Sequence, residues 1–210
     1  MINFVPGQPE QFHDIEDLFF LYGSNMHPQQ LARRCYGAQM LCAARLDHYR
    51  LAFYGYTEEW DGALETVEPC DGSTVWGALM KIHSLECERL DQWMDARMDG
   101  GGMYFHSPVE VTSINGERHC CRLYRKDVCD TPALPSSEYL QHILTGAAYR
   151  NLPAPYLDQI RTYASKPASY PVPIRCGGDL GAGAGASCKD CATAAPIPVQ
   201  ESPLCVLQSI

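Results

Sequence analysis

No stretch of this chain approaches the apolar length needed to cross a bilayer as a helix. The N-terminal Met1-Ile2-Asn3-Phe4-Val5-Pro6-Gly7 lacks the basic start and apolar centre of a secretory leader. Positive charge is also scarce: 16 Lys and Arg stand against 25 Asp and Glu, for a net charge of −9. That balance argues against nucleic acid or an anionic membrane as the main partner. A cytoplasmic protein is expected. Its 11 cysteines are then read as reduced thiols, with metal or redox use at a few of them. What is present, over 210 residues, is enough to bury the core of one good-sized domain, alone or with a tail.

The chain is organised around Leu18-Phe19-Phe20-Leu21-Tyr22-Gly23-Ser24-Asn25-Met26. The apolar start reads as a short buried strand, and Gly-Ser-Asn as a turn. His27-Pro28-Gln29-Gln30-Leu31-Ala32-Arg33-Arg34 then opens a helix with Pro in its first turn. Together they aim several backbone N–H groups at one spot, a nest suited to a carboxylate or a developing oxyanion.

In chain order, residues 1–16 are a polar lead-in. Strands are predicted at 46–54, 63–69 and 74–82, with Pro69-Cys70-Asp71-Gly72 ending the middle one. Ser84 stands where a cap is needed for a helix over 85–94, which Asp99-Gly100-Gly101-Gly102 breaks. Strands at 103–111 and 119–124 follow, joined at Asn115-Gly116, and Pro135-Ser136 and Pro153 open two more helices. The pattern predicts an α+β fold over 17–165 with a largely antiparallel, barrel-like sheet. From 166 to 210, Pro, Gly, Ala and Ser dominate, and the segment reads as an arm laid on the domain or a flexible tail.

An ordered series of short motifs carries a resemblance. Tyr22-Gly23-Ser24-Asn25-Met26 is followed by Trp60-Asp61-Gly62, Val75-Trp76-Gly77 and Gly102-Met103-Tyr104. Cys121-Arg122-Leu123-Tyr124, Pro135-Ser136-Ser137-Glu138-Tyr139 and Gly146-Ala147-Ala148 with Leu152-Pro153 complete it. From about Leu18 to about Tyr163 the chain thus resembles the γ-glutamyl cyclotransferase (AIG2-like) family. The resemblance implies a small mixed barrel with flanking helices. It also implies an enzyme acting on a small γ-glutamyl compound. The substrate's own α-amino group attacks the γ-carbonyl, closes a five-membered ring and expels an amine, releasing 5-oxoproline. No metal, cofactor or protein nucleophile is required. The protein holds the glutamyl part folded, stabilises the oxyanion and moves protons, for which one carboxylate with a raised pKa suffices. By resemblance Tyr22, Gly23, Ser24, Asn25, Met26, Tyr104, Tyr124 and Tyr139 bind the substrate or the catalytic carboxylate.

One departure stands out. The family's carboxylate is a glutamate after a Leu-Asp pair, and here Leu90-Asp91 is followed by Gln92-Trp93-Met94-Asp95, so that position falls on Met94. Asp95 is the first substitute and Asp99 the second. Glu65 is a third, because it alternates with Ala63 and Val67 on a possible inward face, although a strand glutamate more often faces solvent. His106 reads as structural, and His83, His119 and His142 lack a metal-ligand partner at a useful spacing.

The tail holds Cys188-Lys189-Asp190-Cys191, with Cys176 before it and Cys205 after. Metal or cluster binding, a redox pair and no function at all stay open for it. Two functions are also open: a cyclotransferase with a substitute carboxylate, or a non-catalytic γ-glutamyl-binding module. What hangs on the γ-carboxyl is open too, whether glutathione, a γ-glutamyl amino acid or a γ-glutamylamine. A carboxylate within reach of the Gly23–Asn25 turn favours the enzyme.

Overall fold

The computed structural model describes residues 16–174, apart from Met98, Val128 and Asp130. The lead-in before residue 16 and the tail cysteines Cys176, Cys188, Cys191 and Cys205 lie outside the described residues. Five strands close a barrel in the order β1-β3-β2-β4-β5. They are β1 (Glu16–Leu21), β2 (Gln39–Thr57), β3 (Gly62–His83), β4 (Tyr104–Ser113) and β5 (Arg118–Lys126). All pairings are antiparallel except β1 with β5, which closes the ring in parallel at Phe19 and Arg122. The mixed, largely antiparallel barrel expected from the sequence is present.

The long β2–β3 hairpin differs from the reading in short strands. Pro69-Cys70-Asp71-Gly72 does not end a strand. The ladder pairs Tyr49 with Pro69 and Asp47 with Thr74, so the intervening β3 residues bulge out opposite His48. Positive φ at His48 (63°) and Gly72 (75°) turns the corner. The ribbon therefore bends rather than stops. Its inner half also pairs with β1, Leu21 opposite Ala78, and its outer half carries Ala63, Glu65 and Val67.

Four helices flank the barrel: α1 (Pro28–Arg34), α2 (Ser84–Met94), α3 (Ser137–Tyr149) and α4 (Ala154–Arg161). None is long and apolar enough to cross a membrane. At α3 the expected cap forms, Ser136 Oγ accepting from the Tyr139 N–H at 3.2 Å. At α2 the cap is His83 rather than Ser84, its Nδ1 accepting from the Leu85 N–H at 3.3 Å. The core lies between barrel and helices, where Phe19, Phe20, Leu79, Met80, Ile82, Leu90, Leu123, Ile143 and Ile160 are fully buried. Each such side chain contributes about 1.5–3 kcal/mol by leaving water.

Residues 166–174 lie on the domain as an arm. Ser137 N–H donates to the Lys166 carbonyl at 2.8 Å, and Lys166 N–H to that of Pro135 at 3.1 Å. Beyond this bridge, Ser169 N and Oγ both donate to Asp61 Oδ2 at 2.6 Å. Those bonds hold the Asp61 carboxyl down at about 2. Tyr170 Oη donates to the Glu58 carbonyl at 2.7 Å and Ile174 N–H to that of Glu59 at 2.8 Å.

Candidate active site

The strand β1 delivers Tyr22 and Gly23 to a single turn of 3-10 helix, Ser24–Met26, before α1 begins. The outer half of β3 crosses beneath this turn and brings Glu65 to it. Glu65 is only 4% exposed. Its Oε1 accepts from the Ser24 N–H at 2.8 Å, and its Oε2 accepts from Tyr139 Oη on α3. Tyr104 Oη from β4 donates to the Glu65 main-chain carbonyl at 2.8 Å. A buried carboxylate is otherwise costly, and these donors offset the loss of water. Gly23 is required for the approach, because a Cβ there would lie 2.2 Å from Glu65 Oε1.

Asn25 is oriented by its other side. Arg34 Nη1 at 3.0 Å and Gln30 Nε2 at 3.2 Å both donate to Asn25 Oδ1. That fixes the amide, and Nδ2 then points to Met94 Sδ, 3.1 Å away. A thioether is a weak acceptor, so this N–H is easily surrendered to a better one. Arg34 is the buried cation of the neighbourhood: its guanidinium lies 5.3 Å from the Trp93 ring centroid and 3.8 Å from Glu59. Burial lowers the Arg34 pKa, and Glu59 and Glu65 pull it back up.

A narrow pocket opens on this group, lined by Phe20, Leu21, Tyr22, Gly23, Asn25, Glu65, Met94 and Tyr124. Tyr22 Oη donates to the Tyr124 main-chain carbonyl, locking β1 to β5 beneath it. Burial first and the Glu65 charge second push the Tyr22 and Tyr104 hydroxyls well above the usual tyrosine range. For Tyr124 the causes are burial and its hydrogen bond to Asp91. These hydroxyls stay protonated and act as donors. Ser24, Tyr104 and Tyr139 thus gather on Glu65, while Met26 packs fully buried beneath the turn.

The two aspartates favoured by sequence stand elsewhere. Asp95 ends α2 in the left-handed region, φ 45°. Its Oδ1 accepts from Arg97 Nε at 2.8 Å and its Oδ2 from the Met103 N–H at 3.1 Å. Asp99 Oδ1 accepts from the exposed Gly101 N–H at 2.9 Å. Both carboxylates therefore serve the loop between α2 and β4. Met94, where the family's glutamate was expected to fall, does line the pocket, and the carboxylate beside it comes from β3. The alternation of Ala63, Glu65 and Val67 was the available signal. A solvent-facing glutamate reads the same way until the turn and α3 supply its donors.

Comparisons with known proteins give the chain's family. The AIG2-like family matches residues 74–160. The human γ-glutamylcyclotransferase is 31% identical over 157 residues, which span 73% of this chain and 80% of the human one. The chain belongs to the γ-glutamyl cyclotransferase family. The mouse γ-glutamylcyclotransferase is 28% identical over the same length and the same shares of both chains. A solved structure of a γ-glutamyl cyclotransferase superposes with a TM-score of 0.69 at 27% identity, covering 75% of this chain and 94% of that one. The family's fold is thus reproduced here.

Proposed function

We propose that the protein is a γ-glutamyl cyclotransferase in which Glu65 is the proton carrier. One observation carries the assignment of the base: the Glu65 carboxylate sits on the Ser24 N–H, at the turn where the resemblance puts the glutamyl end. The likeness to the human and mouse cyclotransferases supports the reaction itself. In this reading the glutamyl part folds back on itself in the pocket, bringing its α-nitrogen near its γ-carbonyl carbon. Holding that conformation removes much of the entropic barrier to ring closure. Asn25 Nδ2 leaves the Met94 thioether and donates to the carbonyl oxygen as negative charge develops there. After attack, Glu65 takes a proton from the α-nitrogen and delivers it to the leaving nitrogen, the C–N bond breaks, and 5-oxoproline and an amine separate.

The test is 5-oxoproline release from a panel of γ-glutamyl amides and peptides. Glu65→Gln keeps the shape and removes the base, and a loss of roughly 10²–10⁴ in kcat is expected. Asp95→Asn and Asp99→Asn should stay close to wild type. Should Glu65→Gln retain full activity while Asp95→Asn is inactive, the assignment of the base is wrong and the reaction stands. A wild-type protein that releases no 5-oxoproline from any of the panel contradicts the reaction.

A further inference from the structure

Ring closure displaces two protons from one nitrogen. The substrate's α-ammonium carries three hydrogens and the nitrogen of 5-oxoproline carries one. Glu65 accounts for the proton that passes to the leaving nitrogen, which departs as a neutral amine. The first proton, lost before attack, needs another way out of a buried pocket.

A chain of polar groups leads outward from Tyr124. Tyr124 lines the pocket and is 3% exposed. Its Oη donates to Asp91 Oδ1 at 2.5 Å, and the same oxygen lies 2.7 Å from His106 Nε2. The side chains of His106 and Asp91 are 28% and 26% exposed, so the chain ends at solvent. Three elements build it: Asp91 from the last turns of α2, and His106 and Tyr124 as a cross-strand pair of β4 and β5. Phe19 of β1 floors it, its ring 5.5 Å from that of His106 and 5.4 Å from that of Tyr124.

We propose that Tyr124, Asp91 and His106 form a proton exit for the reaction. The inference rests on the cyclotransferase reading. As the α-ammonium docks against Tyr124, one of its protons passes to the hydroxyl oxygen while the hydroxyl proton moves to Asp91. Asp91 passes it to His106, which releases it to water. Each group ends as it began, and the neutral amine takes up a proton from solvent after release. The hydroxyl already points outward, donating to Asp91, which is the polarity this flow needs. Histidine suits the outer end because its two ring nitrogens can take up a proton on one side and release it from the other. Besides Asp91, the charged or titratable groups that act on Tyr124 are Cys87 on α2 and Arg122 on β5. Arg122 pairs with Asp17 and lies 5.0 Å over Phe19, and Cys87 donates to the same Asp17 carboxylate at 3.7 Å. These three pair with one another, and His106 pairs with Asp91.

The experiment compares the full-length wild type with His106→Gln and His106→Ala. Rate against pH and the separate kcat and KM values are measured, after a thermal melt has shown each variant folded. His106→Gln keeps a donor toward Asp91 and loses proton transfer. Its kcat should fall about tenfold with KM within about twofold, and the shape of the pH–rate profile should change. Imidazole added to His106→Ala should restore part of the rate. If either variant fails to fold, the other together with Asp91→Asn gives the same reading. Variants that match the wild type in kcat and profile overturn the exit and leave the cyclotransferase standing. A wild type inactive on every γ-glutamyl compound overturns both.

Discussion

Glu65 and Asn25 both line the pocket and are held by the same means. Glu65 is fixed by donors on its oxygens, from Ser24 and Tyr139, and Asn25 by donors on its carbonyl oxygen, from Arg34 and Gln30. Each is thereby presented to the pocket in one orientation. Asn25→Ala should lower kcat by roughly 10²–10³, the usual worth of one oxyanion donor. Its melting temperature should change less than that of Tyr22→Ala, which loses the bond from β1 to β5. Equal melting losses would count against Asn25 as a chemical rather than a structural residue. In the sequence, Gly23, Ser24, Asn25 and the three tyrosines stand out only through the ordered motifs that carry the family resemblance. Glu65 ranked only third, since the donors that hold its carboxylate lie 41 and 74 residues away along the chain. Asp95 looked nearer because it follows Met94, but a left-handed cap turns it outward.

Among the elements, the barrel strands and helices announce themselves by apolar alternation, Pro at helix starts and the Ser136 cap. The β2–β3 corner does not. A Pro-Cys-Asp-Gly sequence reads equally as a terminating turn or as a bulge, and only pairing on both sides of the bulge distinguishes them. The contact of α3 with the turn has its own chemistry. His142 of α3 stacks on His27 at 4.1 Å between ring centroids and packs on Trp60 at 4.8 Å. Burial first, then the His27 and Arg34 charges, lower the His142 pKa from 6.5 to about 4. The unfolded chain therefore takes up this proton near 6.5 and the folded one only near 4. Stability from this group is fully present above 6.5 and declines as pH falls from 6.5 toward 4. His142→Phe keeps a flat ring in the stack and removes the ionisation. Melts between pH 7 and 4 should fall less steeply for this variant than for the wild type, and parallel curves would refute the assignment.

At the scale of the whole molecule, the arm at 166–174 belongs with the barrel, although its composition reads as separate from it. It has little apolar periodicity and is held by hydrogen bonds to Asp61, Glu58, Glu59 and Pro135, a kind of docking that no hydrophobic pattern reveals. A chain ending at Ser165 should melt several degrees below one ending at Ile174, and identical melts would show the arm to be passive. In the proposed reading the pocket is the family's, and its carboxylate comes from the strand β3 instead of the end of the helix α2. Restoring the carboxylate to the helix tests that most directly. Release of 5-oxoproline should be measured for the wild type, Glu65→Gln, and Glu65→Gln combined with Met94→Glu, on the best γ-glutamyl substrate. Glu65→Gln should be slower by roughly 10²–10⁴, and Met94→Glu in that background should recover a substantial part of the rate. Wild-type turnover in Glu65→Gln, or a double variant no faster than Glu65→Gln alone, would contradict the account.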